Sequence, residues 1–173
     1  KVTVADQSTV HSIRDIEIGT NGGTGEVSVS GTGGSISAAQ DIFIGTNGGT
    51  GEASLSDRGN ISATRDVFVG IGAGSDGTID QTGESAVFAR DAVIGSNSGT
   101  GVVNLTGLAD SDYVNLTVSR NVLIGDNGTG TVKLEGKGAP SIYATSGTGE
   151  VRVGLGSSGV GTLSLIGDEI NDS

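Results

Sequence analysis

The fold of this chain is decided by a short module, DIFIGTNGGTGEASLS, which occupies residues 41–56. Two similar segments flank the module: DIEIGTNGGTGEVSVS at residues 15–30 and DAVIGSNSGTGVVNLT at residues 91–106. The unit recurs about every 25 residues, a period that is typical of solenoids, propellers and repeat arrays. A repeat architecture is therefore the starting point for every other inference.

The composition favours short strands joined by Gly-rich turns. The 173 residues include 33 Gly and one Pro, with 3% aromatic residues, which does not describe a helical bundle. Gly lacks the three-residue period of collagen, and the regularly spaced β-branched residues argue against disorder. The pattern therefore predicts an all-β chain.

Charge and cysteine content exclude several classes of function. A formal net charge of -11 argues against partners that need a basic patch, such as nucleic acid or an anionic membrane surface. The chain has no Cys, so it can form neither a disulfide framework nor a thiolate metal site.

Three strand patterns recur in each period, and we call them a, b and c. Strand a reads D-h-x-h-G, where h is apolar, and alternation places both h residues on one buried face. The pairs of strand a are Ile16/Ile18, Ile42/Ile44, Val67/Val69, Ala92/Ile94, Val122/Ile124 and Val151/Val153. The pairs of strand b are Val2/Val4, Val27/Val29, Ala53/Leu55, Ile79/Gln81, Val103/Leu105, Val132/Leu134 and Leu163/Leu165. The pairs of the weaker strand c are Val10/Ser12, Ile36/Ala38, Ile61/Ala63, Ala86/Phe88, Leu116/Val118 and Ile142/Ala144.

These patterns predict a single-stranded right-handed parallel β-helix, that is, a solenoid with three short strands per coil. The loops are too short for helical crossovers, and a propeller blade needs about 40 residues or more. At about 25 residues per coil the chain makes roughly six to seven coils. The right hand follows the general preference of parallel connections.

The Gly-rich turns after strand a predict sharp corners. Asn21-Gly22, Asn47-Gly48 and Asn127-Gly128 occupy matching places, with Asn97-Ser98 as a variant. Asn and Gly tolerate positive φ, and we expect the Asn side chains to hydrogen-bond along the axis as a ladder. Residues 71–76 lack the motif and should interrupt this ladder.

The pattern G-T-G-x-h-x-h, followed by a weak strand and D-h-x-h-G-x-N-G, resembles the passenger repeats of monomeric bacterial autotransporters, particularly large surface adhesins. The resemblance extends from Val2 to about Leu165. It implies a right-handed β-helix that is exported and displayed on a Gram-negative cell surface through a membrane-embedded C-terminal barrel, or secreted. The chain lacks the G-D-S-G motif of the protease members, so no catalytic residue is implied.

Two expectations concern the limits of the chain. We expect residues 1–173 to be one solenoid segment, excised from a longer passenger region of this kind. Excision would leave open coil ends with unpaired strand edges, which favours end-to-end association.

The outward residue of strand a forms an apolar stripe at its centre, made of Phe43, Phe68, Val93 and Leu123. One interpretation is that these side chains stack on each other and are partly covered by loops. The other is a contact surface for a partner or for self-association, because contiguous exposed apolar area is otherwise disfavoured.

The loop between residues 106 and 115 is longer than the equivalent loops and carries Asp110, Asp112 and Tyr113. Loops on a rigid scaffold often carry function, so these three residues are candidate contacts. Drift in a solvent-exposed loop explains the same observation.

Other polar residues favour structural roles. The column Arg14-Asp15, Gln40-Asp41, Arg65-Asp66, Arg90-Asp91 and Arg120-Asn121 places opposite charges side by side, which offsets repulsion between coils. Glu26 and Glu52, with Asp80 nearby, match the carboxylate separation of a retaining glycosidase, but the repeat alone generates such a pair. His11 is the only histidine, and no catalytic, cofactor or metal site can be assembled around it. Gln81 places an amide at an inward position, where we expect a local defect.

The sequence therefore predicts a noncatalytic structural and adhesive segment without a cofactor. The resemblance implies attachment to a host surface or matrix, through a protein or a glycan, or association between cells. The alternative from a different class is a polysaccharide-processing enzyme, since lyases and depolymerases also use β-helices.

Overall fold

The computed structural model describes residues 1–167, which form 19 strands and no helix. The strands are β1 (Val2–Ala5), β2 (Thr9–Ser12), β3 (Ile16–Thr20), β4 (Thr24–Ser30), β5 (Ser35–Ala38), β6 (Ile42–Thr46), β7 (Thr50–Leu55), β8 (Asn60–Ala63), β9 (Asp66–Ile71), β10 (Asp76–Thr82), β11 (Ser85–Ala89), β12 (Asp91–Ser96), β13 (Thr100–Gly107), β14 (Val114–Val118), β15 (Val122–Asp126), β16 (Thr129–Gly136), β17 (Ser141–Ala144), β18 (Val151–Leu155) and β19 (Val160–Gly167). No helix in this part of the chain is long and apolar enough to cross a membrane.

Every strand pairs in parallel with the strand three places along the chain. Sheet a has the order β18-β15-β12-β9-β6-β3, sheet b the order β1-β4-β7-β10-β13-β16-β19, and sheet c the order β17-β14-β11-β8-β5-β2. The chain thus winds through three sheets in about six turns of about 26 residues each, which confirms the predicted solenoid.

The register stacks equivalent residues of successive coils. In sheet a, Ile42 lies beside Ile16 on one side and Val67 on the other. Side chains from all three sheets fill the bore, and Ile44, Leu55 and Ile61 are completely or almost completely buried. This register confirms the inward pairs predicted for strands a and b. Burial is incomplete at the ends of the rod, where Val2, Val151, Val153, Leu163 and Leu165 are 39 to 74% exposed.

One predicted register in sheet c was wrong. Val87, not Ala86, lies beside Ile61, and Val87 is completely buried. Phe88 instead lies beside Ser62 on the outer face, where it is 44% exposed. The reason is the length of the preceding turn: Val87 follows Gln81 by the interval that separates Ile61 from Leu55. The inward pair of this strand is therefore Val87 and Ala89, and not the predicted Ala86 and Phe88.

The Asn residues at the corners have the predicted backbone but not the predicted contacts. Asn21, Asn47, Asn97 and Asn127 have φ angles of 52 to 53°. Their side chains form no axial ladder among the described residues: Asn21 Nδ2 donates to the adjacent Thr20 Oγ1, while Asn47 and Asn97 are exposed. The corners are instead joined by backbone bonds, such as Asn47 N to Ile71 O at 3.3 Å.

A pair of glycines lets strands a and b meet backbone against backbone in each coil. Gly45 has a φ of 67°, and a Cβ atom there would lie 1.9 Å from the carbonyl oxygen of Asp76. A Cβ atom on Gly51 would lie 2.2 Å from Ile18 O and 2.3 Å from Gly45 N. All three distances are far below van der Waals contact and involve backbone atoms, so no larger residue fits at Gly45 or Gly51. The equivalent pairs are Gly19/Gly25, Gly70/Gly77, Gly95/Gly101, Gly125/Gly130 and Gly154/Gly161. In the last of these pairs, a Cβ atom on Gly154 would meet nothing closer than 3.6 Å.

A polar side chain interrupts the apolar core. Gln81 is completely buried in a column between Leu55 and Leu105. Its Nε2 donates to Asn115 O at 3.2 Å, but its Oε1 has no hydrogen-bond partner in the described part of the chain. The predicted local defect is therefore a half-satisfied amide.

The close backbone contact at Gly45 and Gly51 predicts that a single added methyl group greatly lowers the stability of the fold. Gly51→Ala should lower the free energy of unfolding by at least about 2 kcal/mol, because the new Cβ atom displaces backbone on two coils. Gly147→Ala is the matched control, since a Cβ atom there meets nothing within 4 Å. Thermal unfolding followed by far-UV circular dichroism measures both variants. Equal melting temperatures for the two would contradict this account of the corner.

The buried amide predicts a stabilising substitution. Gln81→Leu should raise the free energy of unfolding by about 1 kcal/mol, because it removes an unsatisfied acceptor and continues the Leu column. Gln81→Glu has nearly the same shape but buries a carboxyl group, so it should destabilise. Denaturant titration compares the three proteins, and a destabilised Leu variant would show that the amide contributes more than it costs.

Candidate functional site

The apolar stripe lies on the outer face of sheet a. Strands β6, β9, β12 and β15 place Phe43, Phe68, Val93 and Leu123 in direct register. All four side chains are partly buried, and none is fully exposed. The column ends in Glu17 on one side and Arg152 on the other, both of which are exposed.

Two of the stripe residues form an aromatic stack. The ring centroids of Phe43 and Phe68 lie 5.0 Å apart and their planes differ by 7°. This is the separation at which aromatic pairs attract one another, so each ring covers one face of the other. The interpretation in which the stripe residues stack is thus confirmed for this pair, while their outer edges still meet solvent.

A shallow depression of about 150 Å³ borders the stripe. Phe43 and Ile71 provide its apolar side chains, and Glu17, Thr46 and Asn47 provide its polar ones. An apolar surface with a polar border is the usual anatomy of a contact site.

The long loop exposes only two of its three candidate residues. Asp112 is 9% exposed, and its Oδ2 accepts hydrogen bonds from Leu108 N at 2.7 Å and Ala109 N at 2.9 Å. Its carboxylate therefore shapes the loop and does not present a contact surface, in contrast to the expectation from sequence. Asp110 and Tyr113 face solvent.

The aspartates before strand a form a hydrogen-bonded ladder that runs along the axis. Asp15 Oδ1 accepts from Asp41 N at 3.0 Å, Asp41 Oδ1 from Asp66 N at 2.9 Å, and Asp66 Oδ1 from Asp91 N at 3.2 Å. Asp91 Oδ1 then accepts from Asn121 N at 2.8 Å. Each carboxylate thus satisfies the backbone of the next coil. This ladder was not predicted: the sequence pattern placed an axial ladder on the Asn residues of the other corner, where the described residues form none.

Arginines neutralise this buried row of carboxylates. Asp41 and Asp66 are each only 7% exposed. Arg90 reaches Asp66 with Nε at 3.0 Å and NH2 at 2.6 Å, and Arg65 lies 3.5 Å from Asp41. The hydrogen bond and the charge of Asp66 raise the pKa of Arg90 above its ordinary value. The column therefore serves structure, as its sequence pattern indicates.

Three polar residues that could act in catalysis, Glu26, Asp80 and His11, are engaged in other contacts. Glu26 and Glu52 do lie side by side in β4 and β7, but Lys1 Nζ contacts Glu26 Oε1 at 2.5 Å. Asp80 lies beside Ser54 and accepts from Asn104 Nδ2 at 2.7 Å. His11 Nδ1 bonds Ser37 Oγ at 2.8 Å on the surface. Within residues 1–167 no three His, Asp or Glu side chains converge to hold a metal ion.

The sequence pattern does not predict the exposure of two aromatic residues. Phe88 and Tyr143 both point outward from sheet c, where they are 44% and 51% exposed. The sequence pattern predicts Phe88 in the core, one residue out of the register that the structure shows. Comparing the turn length with that of the preceding coil would have found it.

The aspartate ladder predicts that the stability of the fold depends strongly on the carboxylate of Asp66. Asp66→Ala should lower the free energy of unfolding by about 3 kcal/mol, because it leaves the partly buried Asp91 N–H without an acceptor and removes the partner of Arg90. Asp66→Asn should lose less, since its amide oxygen can still accept the backbone bond, as Asn121 Oδ1 does for Glu150 N at 3.3 Å. Asp110→Ala, in the exposed loop, is the control and should change stability by less than about 0.5 kcal/mol. Denaturant unfolding measures the series, and similar values for Asp66→Ala and Asp110→Ala would refute the ladder.

Comparison of the chain with family models, with curated proteins and with solved structures found no match in any of the three.

Proposed function

We propose that this chain is a noncatalytic structural and adhesive segment, in which a rigid solenoid holds the stripe on sheet a against a protein partner or a second copy. The observation that carries the proposal is the partly buried apolar column of Phe43, Phe68, Val93 and Leu123 on the outer face of an acidic chain. The setting that fits is a passenger segment displayed on a bacterial surface, where it attaches the cell to a host surface or matrix, or to another cell.

The scaffold supports the structural part of this proposal. Continuous parallel ladders run through all three sheets, and the aspartate ladder adds side-chain bonds at one corner. Side chains on successive strands are therefore held at a fixed spacing of roughly 4.8 Å. A surface built on such strands is positioned more accurately than one built on loops.

The stripe supports the adhesive part. From Phe43 to Leu123 it crosses four strands, which is a length of roughly 14 Å at the usual strand spacing. Two large aromatic side chains at one end provide the kind of anchor that contributes most to binding at protein interfaces. Because the rings already stack on one another, they lose little conformational freedom when a partner covers them.

The proposal predicts the outcome of a double substitution. The unmodified protein is screened for binding to immobilised fibronectin, laminin and collagen, and for self-association by analytical ultracentrifugation. Phe43→Ser with Phe68→Ser should weaken whichever interaction is found by at least about 2 kcal/mol, or roughly thirtyfold in Kd. The fold should persist, since both rings lie on the outer face of sheet a and the substitutions change no side chain of the bore.

The matched control is Phe88→Ser, which removes the same kind of side chain from sheet c. It should leave the interaction of sheet a unchanged. Absence of any binding or self-association by the unmodified protein, or equal binding by the double variant, would reject the proposed contact surface. Turnover of a polysaccharide by the unmodified protein would reject a noncatalytic role.

A further inference from the structure

The outer face of sheet c differs from the other two in carrying almost no charge. Its outward side chains are Thr9, His11, Ser35, Ser37, Asn60, Ser62, Ala86, Phe88, Asn115, Thr117, Ser141 and Tyr143. None is Asp, Glu, Lys or Arg, although the chain as a whole has a net charge of -11. The face is therefore a regular, neutral array of hydroxyl and amide groups.

Aromatic rings interrupt this array at one end. The register aligns Phe88 with Thr117 and Thr117 with Tyr143, so the two rings lie two strand spacings apart, or roughly 9.6 Å. Tyr113, which is 64% exposed, lines a groove of about 180 Å³ together with Asn60 and Ala86. The ion pair of Arg58 and Glu84 closes the border of this groove without adding net charge.

Hydrogen-bonding groups lie between and beside the rings. Thr117 separates Phe88 from Tyr143, and Ser141 Oγ donates to Asn115 Oδ1 at 2.8 Å. That bond orients the side-chain amide of Asn115, whose Nδ2 group remains available as a donor. Aromatic faces thus alternate with hydroxyl and amide groups along the strand-stacking direction.

This arrangement matches the chemistry of a neutral glycan. A pyranose ring has apolar C–H faces that pack on aromatic rings and hydroxyl edges that need polar partners. The acidic chain repels an anionic polysaccharide. A neutral polysaccharide can cover the uncharged face of sheet c without burying an unpaired charge. A protein partner fits less well, because Thr117 prevents the two rings from forming one continuous apolar core.

We propose that the face of sheet c around Phe88, Tyr113 and Tyr143 binds a neutral polysaccharide that runs across strands β11, β14 and β17. The proposal does not depend on the stripe of sheet a, which faces another side of the solenoid. The rings bind alternate positions of the sugar chain, and Asn115, Thr117 and Ser141 contact hydroxyl groups between them.

Affinity electrophoresis tests the proposal with three neutral probes, hydroxyethyl cellulose, laminarin and galactomannan, and with heparin as an anionic one. We expect at least one neutral probe to retard the unmodified protein and heparin not to. Phe88→Ala with Tyr143→Ala should weaken that retardation at least about tenfold in apparent Kd. Phe43→Ser with Phe68→Ser should leave it unchanged, and circular dichroism checks that both variants fold.

Three outcomes would overturn the proposal. They are no retardation by any neutral probe, retardation that survives Phe88→Ala with Tyr143→Ala, and retardation by heparin alone. Loss of binding to a matrix protein in the same variant, without retardation by a glycan, would assign this face to a protein partner instead. Because the two double variants lie on different sheets, failure of this proposal is distinguishable from failure of the contact surface on sheet a.

Discussion

The structure depends on the requirement that every residue stack on its equivalents one strand spacing away. A side chain that fits at one position of a coil must also fit against the same position in the coils before and after it. The constraint is tightest at the corner of Gly45 and Gly51, where backbone touches backbone and any Cβ atom would collide. It explains why D-h-x-h-G and T-G recur while the residues between them vary.

The same stacking makes buried charge tolerable. Carboxylates repeated along an axis would repel each other if they were only stacked, and burial would make this repulsion worse. Here each Asp accepts a backbone N–H from the next coil, and arginines lie against Asp41, Asp66 and Asp91. At this corner the Asp side chains therefore link the backbones of successive coils. Each coil gains a hydrogen bond that a purely apolar corner would lack.

Most of the fold could be predicted from the sequence because alternation reports directly on burial. Ile42 and Ile44 identify an inward face without any knowledge of neighbouring coils, and the outward position of Phe43 follows at once. Phe88 could not be placed in this way, since Ala86, Val87, Phe88 and Ala89 are all apolar and only the preceding turn sets their register. The ladder predicted for the Asn corners is absent for another reason. Asn47 suits the positive φ of its corner, and this backbone preference does not determine what its side chain contacts.

The half-satisfied Gln81 has a mechanical consequence. Stability of a solenoid is approximately a sum of contributions from each coil and from each interface between coils, so it need not be uniform along the rod. Tension along the axis loads every coil equally, and the coil with the weakest core separates from its neighbours first. Among the inner coils, that of Gln81, between Leu55 and Leu105, has an unsatisfied acceptor in its bore, so we expect the rod to part under load at this coil before it parts at the other inner interfaces.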